Sequence, residues 1–143
     1  MLLLDTNVIS ELRKVRFGKA DPNVAKWSEG LDTADLFIST ITIHELEIGI
    51  LLAERRDPPQ GSTLRKWLET QVLSAFDGRV LPLDVAVARR AARLHVPDPR
   101  PINDAFIAAT ALVHGMTLAT RNLSDFASTN VPLLNPWDAP NSR

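Results

Sequence analysis

The sequence lacks cysteine, long apolar runs and a sizeable net charge, and each absence excludes a class of protein. Without cysteine it can form no disulfide bond, thiolate metal site or cysteine nucleophile. No apolar stretch reaches the length of a membrane span, and a net charge of -1 means that any contact with nucleic acid must depend on a local basic patch. A Gly-rich motif with lysine is also missing, which excludes a nucleotide-binding P-loop.

The length and composition are those of one ordinary domain, and we predict a single domain over residues 1–143. An apolar fraction of 45% and a charged fraction of 23% are typical of a globular protein in water. The first residues carry neither the basic flank nor the cleavage pattern of a secretion signal. We therefore expect a cytoplasmic protein that does not associate with membranes.

Short apolar runs alternate with helix-like stretches, which is typical of an α/β fold. The runs do not alternate polar and apolar residues, so we predict strands covered on both faces, as in a parallel sheet with helices above and below. Pro82 and Pro132 cannot donate to a ladder of hydrogen bonds, which predicts that the third and fifth strands are edges. The five runs span residues 2–4, 36–38, 80–83, 116–119 and 131–134.

Apolar residues between these runs recur at helical spacing. Val85, Ala88 and Ala92 predict the core-facing stripe of a helix after the third strand. The alanine-rich stretch 103–114 predicts a helix that lies close against the sheet and ends at Gly115. Segments 15–21, 56–61 and 95–102 are predicted loops, and we expect substrate specificity to reside in loops such as the first two.

Four carboxylates follow predicted strands, at the end of an α/β sheet where ligands bind. Asp5 ends the first strand, Glu45 lies on the helix after the second, Asp104 begins the alanine-rich helix and Asp125 follows the fourth strand. Taken singly, Asp5 and Asp104 are equally well explained as helix caps. Glu45 alone fits a solvated helix face, and Asp125 alone fits an ordinary loop. Their convergence predicts one crevice that gathers four acidic side chains.

Clustered carboxylates repel one another, and a divalent cation makes such a cluster tolerable. Oxygen-only ligands favour Mg²⁺ or Mn²⁺ over zinc or copper. Such an ion can activate an attacking water and neutralise charge on a phosphoryl group, so a phosphodiester is the expected substrate. The sequence therefore predicts a metal-dependent nuclease with these catalytic and metal-binding residues: Asp5, Glu45, Asp104 and Asp125.

Four motifs occur in one order along the chain. They are LLDTN at residues 3–7, TIHELEIG at 42–49, NDAFIAATA at 103–111 and LATRNLSDF at 118–126. Together they resemble PIN-domain proteins, in particular VapC-type toxins of the FitB-like branch, over nearly the whole chain. The resemblance implies a three-layer α/β/α sandwich with a mainly parallel five-stranded sheet in the order 3-2-1-4-5. That order places the strands that carry Pro82 and Pro132 at the edges.

The resemblance also implies a function and partners. It implies a Mg²⁺-dependent endoribonuclease, the toxin of a type II toxin–antitoxin system, with Asp5 and Asp104 as the most direct metal ligands. The implied partners are RNA as substrate, a small DNA-binding antitoxin and a second copy of the chain. We therefore expect a homodimer and a toxin–antitoxin hetero-oligomer, in which an antitoxin arginine enters the acidic pocket.

Other side chains are candidates for supporting the metal or contacting the substrate. The resemblance implies such roles for four polar residues: Thr6, Asn7, Thr120 and Asn122. Arg121, beside them, is a candidate contact for a phosphate. Arg13, Lys14 and Arg16 form a second candidate patch at the end of the helix that starts at Asp5, although a solvated helix end explains them equally well.

Two other functions stay open on the sequence. A phosphotransfer domain with Asp5 as acceptor would need a second Asp at position 7, where this chain has Asn7, or an acidic pair before the acceptor strand. Asp84, which that hypothesis would use, is better explained as a helix cap. A non-catalytic module that holds a partner on DNA or RNA is compatible with the fold but does not account for the concentrated negative charge.

Overall fold

A five-stranded parallel sheet forms the centre of the protein. The computed structural model describes residues 1–138, so residues 139–143 of the predicted domain lie outside the described part. The strands are β1 (Leu2–Leu4), β2 (Leu36–Ser39), β3 (Val80–Leu81), β4 (Thr117–Ala119) and β5 (Leu133–Leu134). Their order is β3-β2-β1-β4-β5 and every neighbouring pair is parallel, which confirms the predicted sheet.

Helices cover both faces of this sheet, which confirms the three-layer sandwich. Leu4 packs with Val8 and Ile50 on one face, whereas its neighbour Leu3 packs with Ile107 on the other. Among residues 1–138, no helix has both the length and the apolar character needed to cross a bilayer. The helices are α1 (Thr6–Arg13), α2 (Pro22–Glu29), α3 (Thr40–Arg56), α4 (Pro58–Trp67), α5 (Leu73–Ala75), α6 (Val85–Leu94), α7 (Ile102–His114) and α8 (Leu123–Phe126).

Pro82 and Pro132 flank the two edge strands. Pro82 follows β3 directly, and Pro132 precedes β5 directly, where its carbonyl accepts a hydrogen bond from Leu118 N at 2.8 Å. The two strands are the outer members of the sheet, as the prolines predict. β1 lies in the middle, so Asp5, the next residue, emerges at the centre of the carboxyl edge.

The predicted core stripe of α6 is wrong. Val85 is 74% exposed, and the other two predicted positions, Ala88 and Ala92, are exposed as well. Val87 and Ala91 are buried instead, in a cluster with small side chains of α7. The helix opens with four consecutive apolar residues, so helical spacing alone fits more than one stripe, and packing against α7 selects the buried one.

The predicted loop 56–61 is also wrong, because only one residue separates α3 from α4. Asp57 accepts a hydrogen bond from a backbone amide of α4 at 3.4 Å, and Pro58 starts the helix. Gly61 is buried against α3, where an added Cβ would come within 2.5 Å of Glu54 Cα. Arg65 joins the two helices through ion pairs with Glu54 and Glu47. A packed helical pair therefore replaces the expected loop.

The other two predicted loops are largely irregular. Segment 15–21 contains one short helical turn, Val15–Phe17, and then turns at Gly18, whose φ of 67° is left-handed. Segment 95–102 has no regular structure until α7 begins at Ile102. The alanine-rich helix ends as predicted, with Gly115 in the left-handed conformation at φ 65°.

Candidate active site

The carboxyl ends of the two central strands deliver polar side chains to one place. Asp5 directly follows β1 and Thr120 directly follows β4, and these strands are neighbours in the sheet. The Asp5 amide continues their pairing by donating to Ala119 O at 2.9 Å. Because parallel strands end at the same edge, the pairing of the backbone brings the two side chains together.

Asp5 is buried, with 7% of its surface exposed, and both of its carboxylate oxygens accept hydrogen bonds. Oδ1 accepts from the backbone amide of Thr6 at 2.8 Å, so Asp5 is the N-terminal cap of α1. Oδ2 accepts from the hydroxyl of Thr120, also at 2.8 Å. Capping and a role in the acidic cluster are therefore compatible at this residue, since a helix N-terminus favours the ionised carboxylate.

Four of the predicted supporting residues hold the segment after β4 against α1. The Thr120 hydroxyl, which donates to Asp5, accepts from the Asn122 amide at 3.1 Å. The Arg121 amide lies 3.4 Å from Asn7 Oδ1, its acceptor in the first turn of α1. These contacts fix the backbone from which α8 then carries Asp125.

Glu45 is oriented by neighbours on two other helices. The Thr6 hydroxyl donates to Glu45 Oε1 at 2.5 Å, and Asn103 Nδ2 donates to Oε2 at 3.2 Å. Thr42, fully buried one turn earlier on α3, lies with its Oγ1 3.2 Å from that of Thr6. Thr42 and Asn103 were not predicted as site residues. Their signal was position alone: Thr42 precedes Glu45 by three residues on one helix face, and Asn103 adjoins Asp104.

Asp104 and Asp125 complete the group. Asp104 lies half-buried in the first turn of α7, and it does not cap that helix, whose N-terminal cap position is held by Pro101 without a side-chain hydrogen bond. Asp125 lies exposed in α8. The cap that the sequence predicts at Asp84 is present, with Oδ1 accepting from Val87 N at 3.0 Å.

The carboxylates of the cluster are near enough for their charges to act on the ionisation of Asp5 and Asp104. Burial raises the pKa of Asp5 above its ordinary value, and the charges of Glu45 and Asp125 add to this, while the two hydrogen bonds to its oxygens oppose it. Burial also raises the pKa of Asp104, reinforced by the charges of Asp5, Asp125 and Glu45. The structure therefore brings together the four side chains that the sequence singled out.

The donors of this cluster fit a hard divalent cation. Within residues 1–138, none of the four carboxylates forms an ion pair with Lys or Arg. Over the same residues, no three His, Asp or Glu side chains are arranged to hold a metal ion by themselves. Mg²⁺ needs no such cage, because it keeps several waters and usually binds through one or two carboxylates. Asp5 and Asp104 supply that number.

The predicted basic groups lie outside the cluster. The exposed Arg121 guanidinium stacks over Trp137, 5.2 Å from the ring centre. At the other end of α1, roughly 12 Å along the helix axis from Asp5, Arg13 lies over the Trp67 ring at 5.9 Å. Lys14 there pairs with Glu11 at 3.2 Å, so this end of the helix is partly neutralised.

The chain is similar to known proteins over almost its whole length. The PIN domain family matches residues 2–131. Toxin FitB of Neisseria gonorrhoeae is 36% identical over 96% of this chain and 99% of its own. The VapC ribonuclease Y4jK of Sinorhizobium fredii is 38% identical over the same shares. A solved structure of FitAB bound to an IR36 DNA fragment superposes with a TM-score of 0.88, at 33% identity and covering 100% of both chains. The match includes all four segments that carry the carboxylates.

Proposed function

Because this chain belongs to the PIN-domain family of FitB- and VapC-type toxins, we propose that it is a metal-dependent endoribonuclease, the toxin of a type II toxin–antitoxin system. Its substrate is RNA, and its cofactor is Mg²⁺, with Mn²⁺ as a substitute. The Y4jK relative is named a ribonuclease, which supports this activity. The oxygen-only acidic cluster supports the choice of metal.

In this proposal Asp5 and Asp104 hold the ion, which would supply a Lewis acid for the attacking water and for the charge on the phosphate. Each oxygen of Asp5 accepts one hydrogen bond, which leaves lone pairs free for a ligand. The same bonds stop the side chain from rotating. Asp104, less buried, adds its carboxylate from α7 across the crevice.

Glu45 and Asp125 orient water or a second ion in the same proposal. Thr6 and Asn103 each hold one oxygen of Glu45, so its carboxylate plane is fixed. A carboxylate fixed in this way can accept a proton from a water without first losing rotational freedom. Asp125, exposed on α8, is accessible to an incoming strand.

One observation carries the proposal: four carboxylates from four segments meet without a cationic partner in residues 1–138. Such a cluster costs stability in the metal-free protein, because burial and, in addition, the like charges around it raise the pKa of Asp104. A module that only holds another protein gains nothing from such a cluster of carboxylates. A metal-binding catalytic site requires it.

The test is cleavage of a mixed pool of structured RNAs by the purified chain, freed of any bound protein. We expect cutting with Mg²⁺ or Mn²⁺, none with chelator, and a loss of about 1,000-fold or more in Asp5→Asn, in keeping with the removal of a main metal ligand. Asn also caps helices, so this variant should stay folded.

Asp77→Asn is the matched control. Asp77 is exposed and precedes β3, at the opposite edge of the sheet from the acidic cluster, and its variant should cut RNA like the wild type. If the wild type and Asp5→Asn behave alike under every metal condition, the chain is not a nuclease. It is then a binding module.

The proposal includes partners and a compartment. We place the chain in the cytoplasm, as a homodimer that binds a small DNA-binding antitoxin; the FitAB neighbour is itself bound to DNA. Ile48, Leu51 and Leu52 are 44%, 53% and 57% exposed on one face of α3, and an apolar surface of this kind is typically covered by a protein partner. Sedimentation equilibrium of the purified chain tests the dimer, and a monomer at all concentrations would contradict it.

A further inference from the structure

An arginine-lined cavity adjoins the acidic cluster. It has a volume of about 780 Å³ and lies between α6, segment 95–101 and the residues after α8. Asp125 belongs to its wall, so the cavity and the candidate active site share a side chain. The volume falls in the range of sites for small organic ligands, about 300–1,000 Å³. The cavity can therefore hold a nucleotide.

Three arginines set the charge of the cavity: Arg90, Arg93 and Arg100, against the carboxylates Asp98 and Asp125. Arg90 and Arg93 are three residues apart on α6 and so lie on one face of that helix. Neither forms an ion pair with a carboxylate within residues 1–138. Two guanidinium groups are thus available to an incoming anion.

The third arginine is part of the cavity's framework. Arg100 Nε donates to the Leu94 carbonyl at 2.8 Å, and the Arg100 amide donates to His95 Nδ1 at 3.3 Å. These bonds tie the irregular segment to the end of α6. The opposite wall is polar and includes Ser128 and Asn130. The cavity therefore has a defined shape, with basic groups on one side and, on the other, neutral polar groups together with the carboxylate of Asp125.

We propose that this cavity binds the nucleotide next to the cleaved bond, with Arg90 and Arg93 on its backbone phosphate. The proposal rests on the ribonuclease function, because it takes the position of the scissile phosphate from the acidic cluster. A strand with that phosphate at Asp104 can continue past Asp125 into the cavity, because Asp125 lies near Asp104 and also lines the cavity. Guanidinium groups match phosphate oxygens in geometry and stay charged.

The test measures binding apart from cleavage. A fluorescein-labelled, single-stranded 12-mer RNA of mixed sequence is titrated with Asp5→Asn protein in Mg²⁺, and anisotropy is followed at several KCl concentrations. The test variant adds Arg90→Gln and Arg93→Gln to this background. Arg89→Gln is the control, since Arg89 is an exposed neighbour on α6 that does not line the cavity. Thermal unfolding checks that each variant is folded, and Arg93→Gln alone serves if the double variant is not.

We expect the double variant to bind about 10- to 100-fold more weakly, since each lost bond to a charged group is worth roughly tenfold. The slope of log affinity against log salt should become shallower by about 0.7, because the two arginines share one phosphate and each neutralised phosphate of a single strand contributes about 0.7. Arg89→Gln should change neither quantity. If the double variant has the same affinity and the same salt slope as Arg89→Gln, the assignment is overturned.

Cleavage by chains with Asp5 intact separates the two proposals. If Arg90 and Arg93 carry RNA binding but the wild type never cuts RNA, the ribonuclease function fails, and the cavity stands as an RNA-binding site but not as the position next to a cleaved bond. If the double arginine variant cuts the 12-mer with wild-type KM, the cavity assignment fails and the ribonuclease function stands. The cavity assignment would also be overturned if the double arginine variant lost antitoxin binding and kept RNA binding, since the occupant of the cavity would then be an acidic protein segment.

Discussion

Asp5 serves the fold and the candidate site with the same two oxygens. One oxygen caps α1 and the other accepts from Thr120, and the residue sits at the end of the central strand. Loss of an N-terminal cap costs about 1 kcal/mol. A substitution at this residue therefore tests function cleanly only if the new side chain still caps the helix, which is why Asn is chosen over Ala.

Thr120 is a positioning residue, and Thr120→Val removes its hydroxyl while keeping its shape. The bond from Thr120 favours the ionised form of Asp5, so its loss raises the pKa of Asp5 further, and the proton then competes with the metal. We expect the affinity for Mg²⁺ at pH 7 to fall by about 10- to 100-fold, measured by titration calorimetry. Thr120→Ser keeps the hydroxyl and should bind like the wild type. Equal losses in both variants would contradict this role.

Asp104→Asn should stabilise the metal-free protein at neutral pH. Folding raises the pKa of Asp104 above its ordinary 3.8, so the stability linked to its proton is present below that value and is lost as pH rises through the folded pKa. At pH 7 in chelator we expect the variant's free energy of unfolding, measured in urea, to exceed the wild type's by about 0.5 kcal/mol, because solvent screens the charge of this partly buried side chain. The gain should vanish near pH 4. A gain of equal size at both pH values would show that the cost of the Asp104 charge is not its cause.

At the scale of elements, the strands and the polar residues that follow them were predictable, and some packing was not. Short apolar runs without alternating polar residues predict strands that are covered on both faces, and Pro82 and Pro132 predict which of these strands are edges. The stripe of α6 was missed because Val85 and Val87 both fit helical spacing, and only contact with α7 distinguishes them. The start of α4 within segment 56–61 was missed because two prolines and a glycine usually indicate a turn. Here Asp57 caps a helix that begins at Pro58.

The candidate site shows the same division. Asp5, Glu45 and Asp125 were predictable because each comes soon after a strand, and the ends of parallel strands share one edge. Asp104 follows α6 and segment 95–101 rather than a strand, and it was predictable from its place at the start of the alanine-rich helix. Thr42 and Asn103 were not, because a threonine inside a helix and an asparagine near a helix start have many ordinary roles. Their contacts with Thr6 and Glu45 exist only once α1, α3 and α7 are packed together.

Gly61→Ala tests the close approach of α3 and α4. The added Cβ would meet the backbone of Glu54, and overpacking of this kind costs about 1–3 kcal/mol, so we expect a loss of that size in the free energy of unfolding in urea. Gly49→Ala is the control, since an added Cβ there meets nothing within 4 Å. It should be neutral or stabilising by up to about 1 kcal/mol. Equal effects of the two substitutions would show that the contact with Glu54 is unimportant.

Over the whole molecule, a net charge of -1 conceals a separation of charge. Four carboxylates gather at the end of the central strands, and the arginines of the cavity lie beside them. An anionic strand would be repelled by the first group and attracted by the second. Binding of a cation at the acidic cluster would remove the repulsion, so metal and RNA should bind with positive coupling.

Mg²⁺ should therefore stabilise the whole fold. A ligand that binds only the folded state at 100 times its Kd adds about 2.7 kcal/mol, and we expect the midpoint of thermal unfolding to rise accordingly with Mg²⁺. Asp5→Asn should lose most of this rise, whereas Asp77→Asn should keep it. A rise of equal size in both variants would show that the ion acts elsewhere on the surface.

The double duty of Asp5 has a genetic consequence. The codons of aspartate and asparagine differ by one base, and asparagine caps helices as well as aspartate does. Under the proposed function, one point mutation in the gene thus yields a chain that keeps its fold and its partner surfaces but no longer cuts. Such a chain would draw antitoxin away from active copies, so a harmless decoy is a single mutational step from the toxin.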